Sequence, residues 1–302
     1  MLINADSRRY GVTDPLHEYL AAIAAGCPDL QVSQIIDLHV GGQFNRVLLV
    51  NDTLIFRFPH IPQAIAGLRG QASLLRYLQP LLPLPIPKIT YACLDPRAGQ
   101  RAFIAYPRLA GDPLYRDVLD QIEGAADLDS MALQLGEFLR TLHEIAAPPD
   151  LDVPTADDEA SWARMLADFE AALFPHMRPA ARESVTASFQ QFLSDFDQHP
   201  FRPALRHGDF GGSNILFDRH SRRISGIIDF DSLARGDPAI DAAALLSYGE
   251  AFFDRACRAY PELEGMKLRT EFYRSTFALQ EALYGVWNDD PESFEAGIAD
   301  YR

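Results

Sequence analysis

The 302-residue sequence predicts an α+β fold: a small antiparallel sheet in the first third, then a larger, mostly helical remainder. Three observations carry this. Two pairs of β-rich runs, each pair split by a short turn, lie before residue 108. Helix-period segments dominate from about residue 131 onward. The length suits two modules, at roughly 100–200 residues per domain.

Taken in order, residues 14–26 predict a short helix, with Asp14 as N-cap, Pro15 in the first position and Gly26 after its end. RVLLV (46–50) and TLIFRF (53–58) flank Asn51-Asp52, a turn dipeptide that predicts a hairpin. Ile65, Leu68, Ala72, Leu75 and Leu78 recur at helical spacing over 64–78, and Pro80 closes that segment. The Pro-rich stretch 80–87 reads as a rigid connector. KITYACL (88–94) and RAFIAYP (101–107) form a second antiparallel pair, so residues 30–108 make a small sheet with one inserted helix. Beyond Gly111 the segments 131–145, 160–174, 180–197 and several within 238–302 are helical, and 204–231 is short strands and loops. Residues 146–158 hold Pro148, Pro149 and Pro154 and read as loop.

Charge narrows the function. The net charge is −15, and it is unevenly placed: residues 1–110 carry 10 Lys/Arg and 7 Asp/Glu, leaving 17 and 35 for residues 111–302. A balance of +3 is thus followed by one of −18. A surface this anionic repels phosphate backbones and acidic headgroups, which disfavours nucleic-acid and peripheral-membrane binding. Cys27, Cys93 and Cys257 form no C-x-x-C, and the eight histidines form no zinc-ligand pattern, which argues against a structural zinc site or disulfide framework. With no apolar run behind the N-terminal charges and none of about 18 residues elsewhere, the expected location is cytoplasmic.

The chemistry concentrates in LRHGDFGGSNILFD (205–218) and ISGIIDFDS (224–232). Asn214 follows Asp209 by five residues, and Asp229 ends the apolar run from Ile224. Asn214 and Asp229 offer the hard oxygens that Mg²⁺ prefers, with phosphate oxygens and water completing its shell. Asp209 is left to accept the proton of an attacking hydroxyl. His207 is expected to hold the loop by hydrogen bonds, and Asp237 and Asp241 are expected to serve as a turn residue and a structural acceptor near a helix start. Taken singly, any of the trio Asp209, Asn214 and Asp229 could be ordinary turn chemistry; the joint spacing argues otherwise.

These residues resemble the aminoglycoside phosphotransferase family, kinase-like enzymes that include the choline kinase relatives. H-G-D-x-x-x-x-N (207–214), I-I-D-F-D (227–231), R-G-D-P-x-x-D (235–241) and, more weakly, L-x-x-L-H (139–143) carry the resemblance, which covers roughly residues 35–250. It implies a protein-kinase-like two-lobed fold, with residues 1–108 as nucleotide-binding lobe and 109–302 as catalytic and acceptor-binding lobe. It also implies Mg²⁺ and either ATP or GTP. It places a phosphate-covering hairpin at Gly41-Gly42, the phosphate-holding cation at Arg57, its orienting partner at Gln71, and a purine-binding hinge at Tyr106 to Leu109, including Arg108. Three positions depart from kinase usage: Arg57 stands for Lys, Gln71 for Glu, and Asp231 for the D-F-G glycine. Arginine holds phosphate bidentately and stays charged without a carboxylate partner; Gln71 could still orient it through its amide oxygen.

The acidic second module suits a small cationic hydroxyl substrate such as an aminoglycoside, because carboxylates concentrate and orient ammonium groups. Candidate ligands are Asp157, Asp158, Glu159, Asp168, Glu250, Asp254, Glu281, Asp289 and Asp290, with Trp162, Tyr248, Phe252, Phe253 and Trp287 as aromatic neighbours or core. Macrolide, choline, homoserine or sugar acceptors stay open, as does a kinase-like nucleotide-binding protein with weak turnover. A monomer or homodimer is expected.

Overall fold

A computed structural model describes residues 3–4, 15–38, 45–59, 64–95, 101–195 and 201–302. The N-terminal region builds a six-stranded antiparallel sheet from β1 (Ile3–Asn4), β2 (Gln34–Asp37), β3 (Asn45–Val50), β4 (Leu54–Pro59), β5 (Tyr91–Cys93) and β6 (Phe103–Pro107), in the order β1-β2-β3-β4-β6-β5. The β3–β4 hairpin pairs Val50 with Leu54 and Val47 with Arg57. Its turn places Asn51 and Asp52 at φ of 53° and 55°, a conformation that Asn and Asp tolerate better than most residues. The Asn51 carboxamide then ties the turn to its neighbour strand, accepting from Gln34 N at 3.1 Å and donating to Gln31 O at 2.7 Å.

Helix α1 (Pro15–Gly26) packs on one face of this sheet, where Ile23, Leu48, Phe56, Phe58 and Phe103 are fully buried. Each such side chain contributes about 1.5–3 kcal/mol relative to leaving it in water. Helix α2 (Ala64–Leu78) sets Leu68 and Ala72 against Ile104 from the sheet. Asp14, the expected N-cap of α1, lies outside the described residues.

The remainder is mainly helical: α3 (Arg116–Asp120), α4 (Ala125–Glu144), α5 (Glu159–Ala172), α6 (Pro179–Asp195), α7 (Ala239–Ser247), α8 (Glu250–Cys257), α9 (Lys267–Trp287) and α10 (Pro291–Ile298). Helix α4 begins six residues before the expected start at 131, because Ala125 to Ser130 extends it by more than a turn. Between α6 and α7 run β8 (Ala204–Arg206), β9 (Ile215–Asp218), β10 (Arg223–Ile227) and β11 (Ala234–Gly236), and β9 also pairs with β7 (Asp112–Pro113). Two cores organise this lobe. One joins α4, α8 and the β9–β10 hairpin around Phe138, Phe210, Ile215 and Ile227; the other packs α5, α6, α9 and α10 around Trp162, Phe189 and Tyr273.

The Pro-rich connector ties the two lobes. Pro85 O accepts from Ile227 N at 2.9 Å, which fixes the end of β10, and so the residues after it, against the base of the sheet. No described helix is long and apolar enough to cross a membrane.

Candidate active site

The loop between β8 and β9 is shaped from beneath by one buried carboxylate. Asp241, in the first turn of α7, accepts from His207 N and Gly208 N at 2.8 Å each, and its Oδ2 lies 3.1 Å from His143 Nε2. Burial alone would raise the Asp241 pKa; the His143 and His207 rings and the Gly208 N–H outweigh it and hold the carboxyl below the usual range. The His207 ring reaches Ile228 O at 3.0 Å, so His207 is a fastening, as its fully buried position requires. Asp237 is equally structural, accepting from Ala239 N at 3.0 Å, Arg269 Nε at 2.7 Å and Tyr273 Oη at 2.9 Å.

On the open side of the loop, Asp209 is solvent-exposed. Asn214 donates Nδ2 to Asp209 Oδ2 at 2.8 Å and to Asp209 O at 2.9 Å, which orients the carboxylate and turns the Asn214 Oδ1 away from it. Asn214 O accepts from Ile228 N at 2.9 Å, and this places Asp229 beside the pair. Desolvation by the loop and the nearby Asp229 push the Asp209 pKa up, against the His207 and Asn214 interactions that lower it. Asp229 adopts a left-handed conformation, φ 62° and ψ 71°, and leads into the 3₁₀ turn Phe230–Ser232. Asp231 is not among the positive-φ residues, so no glycine is needed where kinases carry one.

Arg57 enters from β4. Its Nη1 lies 3.4 Å from Asp229 Oδ1, and its Nη2 donates to Asp231. Desolvation would lower its pKa, but Tyr106, Asp231 and Asp229 raise it. The four residues expected to act together, Arg57, Asp209, Asn214 and Asp229, are thus connected in one inter-lobe cluster.

The comparisons with known proteins meet this geometry. The model of the phosphotransferase enzyme family, APH, matches residues 36–269. The chain belongs to this phosphotransferase family. It is 31% identical over 275 residues to viomycin phosphotransferase of Streptomyces vinaceus, covering 86% of this chain and 91% of that protein. A solved GDP and kanamycin complex of APH(2″)-IIIa superposes with a TM-score of 0.81 at 26% identity, covering 94% of this chain and 96% of that one. A macrolide 2′-phosphotransferase from Brachybacterium faecium shares the fold at a TM-score of 0.68 and 22% identity, over 94% and 98% of the two chains.

This phosphotransferase corrects several expectations. Gln71 does not turn its oxygen to Arg57; it donates Nε2 to Asp231, and its Oε1 has no partner among the described residues. Asn45 joins the same carboxylate, donating to Asp231 Oδ2 at 3.2 Å. Sequence reasoning placed Asn45 only within the expected phosphate-covering hairpin and Asp231 only as a departure near the expected metal ligands, and it paired neither with Arg57. The available signal was the paired departure itself, a charge missing at 71 and an extra one at 231.

Tyr106 is buried in the wall next to Arg57 rather than presented at an open edge. The Arg108 N–H, one of the two expected to meet a purine, is instead engaged with Thr53 O at 2.8 Å. Gly41 and Gly42 lie outside the described residues.

Among the acidic candidates, Asp157 is buried and ion-paired with Arg206 Nε at 2.8 Å. Asp158 and Asp290 cap α5 and α10, accepting from Ser161 N at 2.7 Å and Glu292 N at 3.1 Å. Glu250 pairs with Lys267 at 2.9 Å. Glu159, Asp254, Glu281 and Asp289 remain exposed and Asp168 half-buried. Trp162, Tyr248, Phe252 and Phe253 are core, whereas Trp287 is 61% exposed.

Proposed function

We propose that this phosphotransferase moves the γ-phosphoryl group of ATP or GTP to a hydroxyl of a small polycationic acceptor, of the kind its relatives' names give as viomycin or kanamycin. The observation that carries this reading is the exposed Asp209 carboxylate, held by Asn214 at 2.8 Å and set beside Asp229 where the lobes meet. Residues 1–108 act as the nucleotide lobe and 109–302 as the catalytic and acceptor lobe.

In this reading Asp209 accepts the hydroxyl proton of the acceptor as the new O–P bond forms, the γ-phosphorus bond to the bridging oxygen breaks, and the nucleoside diphosphate leaves. Burial and the neighbouring Asp229 carboxylate raise its pKa, which makes it a stronger proton acceptor than a free aspartate. Arg57 holds the phosphates, and the Leu109 N–H with the hinge carbonyls takes the purine edge. Asn214 and Asp229 fit Mg²⁺. Asn214 has spent its amide nitrogen on Asp209 and so offers its oxygen, and the Asp229 carboxylate is 43% exposed. Bound there, the ion would neutralise charge on the phosphate oxygens. The exposed carboxylates of residues 109–302 supply the attraction for ammonium groups.

The test is diphosphate release with ATP and GTP over an acceptor panel: viomycin, kanamycin, gentamicin, a macrolide and choline. Turnover is expected on a cationic antibiotic, and Asp209→Asn should lower kcat by about 10²–10⁴-fold while nucleotide binding survives. Release only with choline or the macrolide overturns the acceptor class. A near-normal kcat in Asp209→Asn removes that residue from the role of base.

A further inference from the structure

A guanidinium whose side chain is only 8% exposed needs an anion beside it, because a buried charge without a partner is strongly destabilising. Neither its own strand nor the neighbouring helix supplies one to Arg57. Helix α2 presents Gln71, a neutral amide, and that amide acts as a donor. The charge arrives from the turn after β10. Asp231 accepts from Arg57 Nη2, Gln71 Nε2 and Asn45 Nδ2, so donors on β4, α2 and β3 converge on one carboxylate of the opposite lobe.

We propose that Asp231 is the positioning residue that holds Arg57 for the nucleotide phosphates, the negative charge standing on the turn beside Asp229 instead of on α2. This rests on the reading of Arg57 as the phosphate-holding side chain. Three features support it. Arg57 Nη2 is anchored on Asp231, so Nη1 makes only a 3.4 Å contact with Asp229 and leaves that carboxylate 43% exposed for its own task. The Asp231 carboxylate is itself shielded, with its side chain 25% exposed and three donors on its two oxygens. The two departures are also charge-conserving: glutamine on the helix removes one negative charge, and aspartate on the turn restores it. An arrangement that merely tolerated Gln71 would leave Arg57 to Asp229 alone and pull it across the site.

The reciprocal exchange tests this. Steady-state kinetics would be measured on the full chain, on Asp231→Asn, on Asp231→Gly, on Gln71→Glu and on the double variant Gln71→Glu with Asp231→Gly. Asp231→Asn should raise the KM for Mg–nucleotide by about 10- to 100-fold, the range for a lost hydrogen bond to a charged group, while the acceptor KM holds within about twofold. Gln71→Glu alone should also be harmful, because it sets two carboxylates against one guanidinium. Added to Asp231→Gly, it should recover about tenfold or more of the lost nucleotide affinity, a coupling that a double-mutant cycle isolates. A lower kcat with both KM values unchanged reflects lost folded enzyme and overturns the proposal, as does an exchange that recovers nothing. If the unaltered chain neither binds Mg–nucleotide nor releases diphosphate, the functional reading falls and this inference with it; that result is visible before any substitution is made.

Discussion

Gly208 sits at φ +84° between His207 and Asp209, where an added Cβ would overlap the Arg206 guanidinium and come within 2.6 Å of Ser232 O. Arg206 cannot step aside cheaply, because it is bound to Asp157 through Nε and Nη2 and to Ser232 O at 2.6 Å. The glycine of H-G-D is therefore a requirement of packing as well as of backbone conformation. Gly208→Ala should cost about 1–3 kcal/mol from the backbone alone and displace Asp209, which directly follows it. A lowered melting temperature together with a kcat reduced more than tenfold (about 1.4 kcal/mol in the barrier) is expected. Unchanged kcat would mean that the loop relaxes without moving the carboxylate. At the same scale Asp229 carries the strain of the following turn itself, which is why Asp231 is free to be an aspartate.

Helix α7 acts on the loop that carries Asp209 through one residue in its first turn. The Asp241 carboxylate holds two successive loop N–H groups and is in turn held by His143 of α4, so the loop is positioned by two helices. Because its folded-state pKa is depressed, ionised Asp241 adds stability at every pH above the unfolded carboxylate value of about 3.9. That contribution drains away as pH falls through the folded value. Asp241→Asn should therefore lower stability at pH 7 by about 1–3 kcal/mol, the cost of leaving a buried loop N–H without its acceptor, and the gap from the unaltered chain should narrow below about pH 4. Melting curves from pH 3 to 7 would show it, and a constant gap would mean that Asp241 works through shape alone.

The elements were legible wherever local pattern sufficed. The Asn51-Asp52 hairpin, α2 closed by Pro80, and the Asp209–Asn214 spacing are all set by neighbours within a turn or two. Helix α3, β7 and β11, at two to five residues each, are too short to show a period. The charge arrangement at Arg57 was not legible because its partner lies 174 residues away, and the amide of Gln71 gives no sign from sequence whether it will donate or accept.

Across the whole molecule, charge and architecture divide together. The mildly basic first third forms the sheet that carries Arg57, and the acidic remainder forms the helical lobe that carries Asp209. Several acidic candidates proved to be caps and ion pairs, so under the proposed function the pull on a cationic acceptor would rest on the summed field more than on any single ligand. Screening then has a definite sign. Raising ionic strength from about 0.01 to 1 M shortens the Debye length from about 30 to 3 Å and should raise the KM of a polycationic acceptor several-fold. An uncharged hydroxyl acceptor such as a simple sugar should show no such rise. A flat KM for kanamycin across that range would mean that the acidity serves solubility and not capture.

The division of the helical lobe also sorts its two indoles. Trp162 lies 4% exposed among Phe189, Phe192, Phe272 and Tyr273 in the core of α5, α6 and α9, while Trp287 ends α9 in water. An aqueous quencher such as iodide reaches the second and not the first. The native chain thus carries two separable optical signals: the shielded emission follows the integrity of that core, and the quenchable emission follows events at the solvent end of α9.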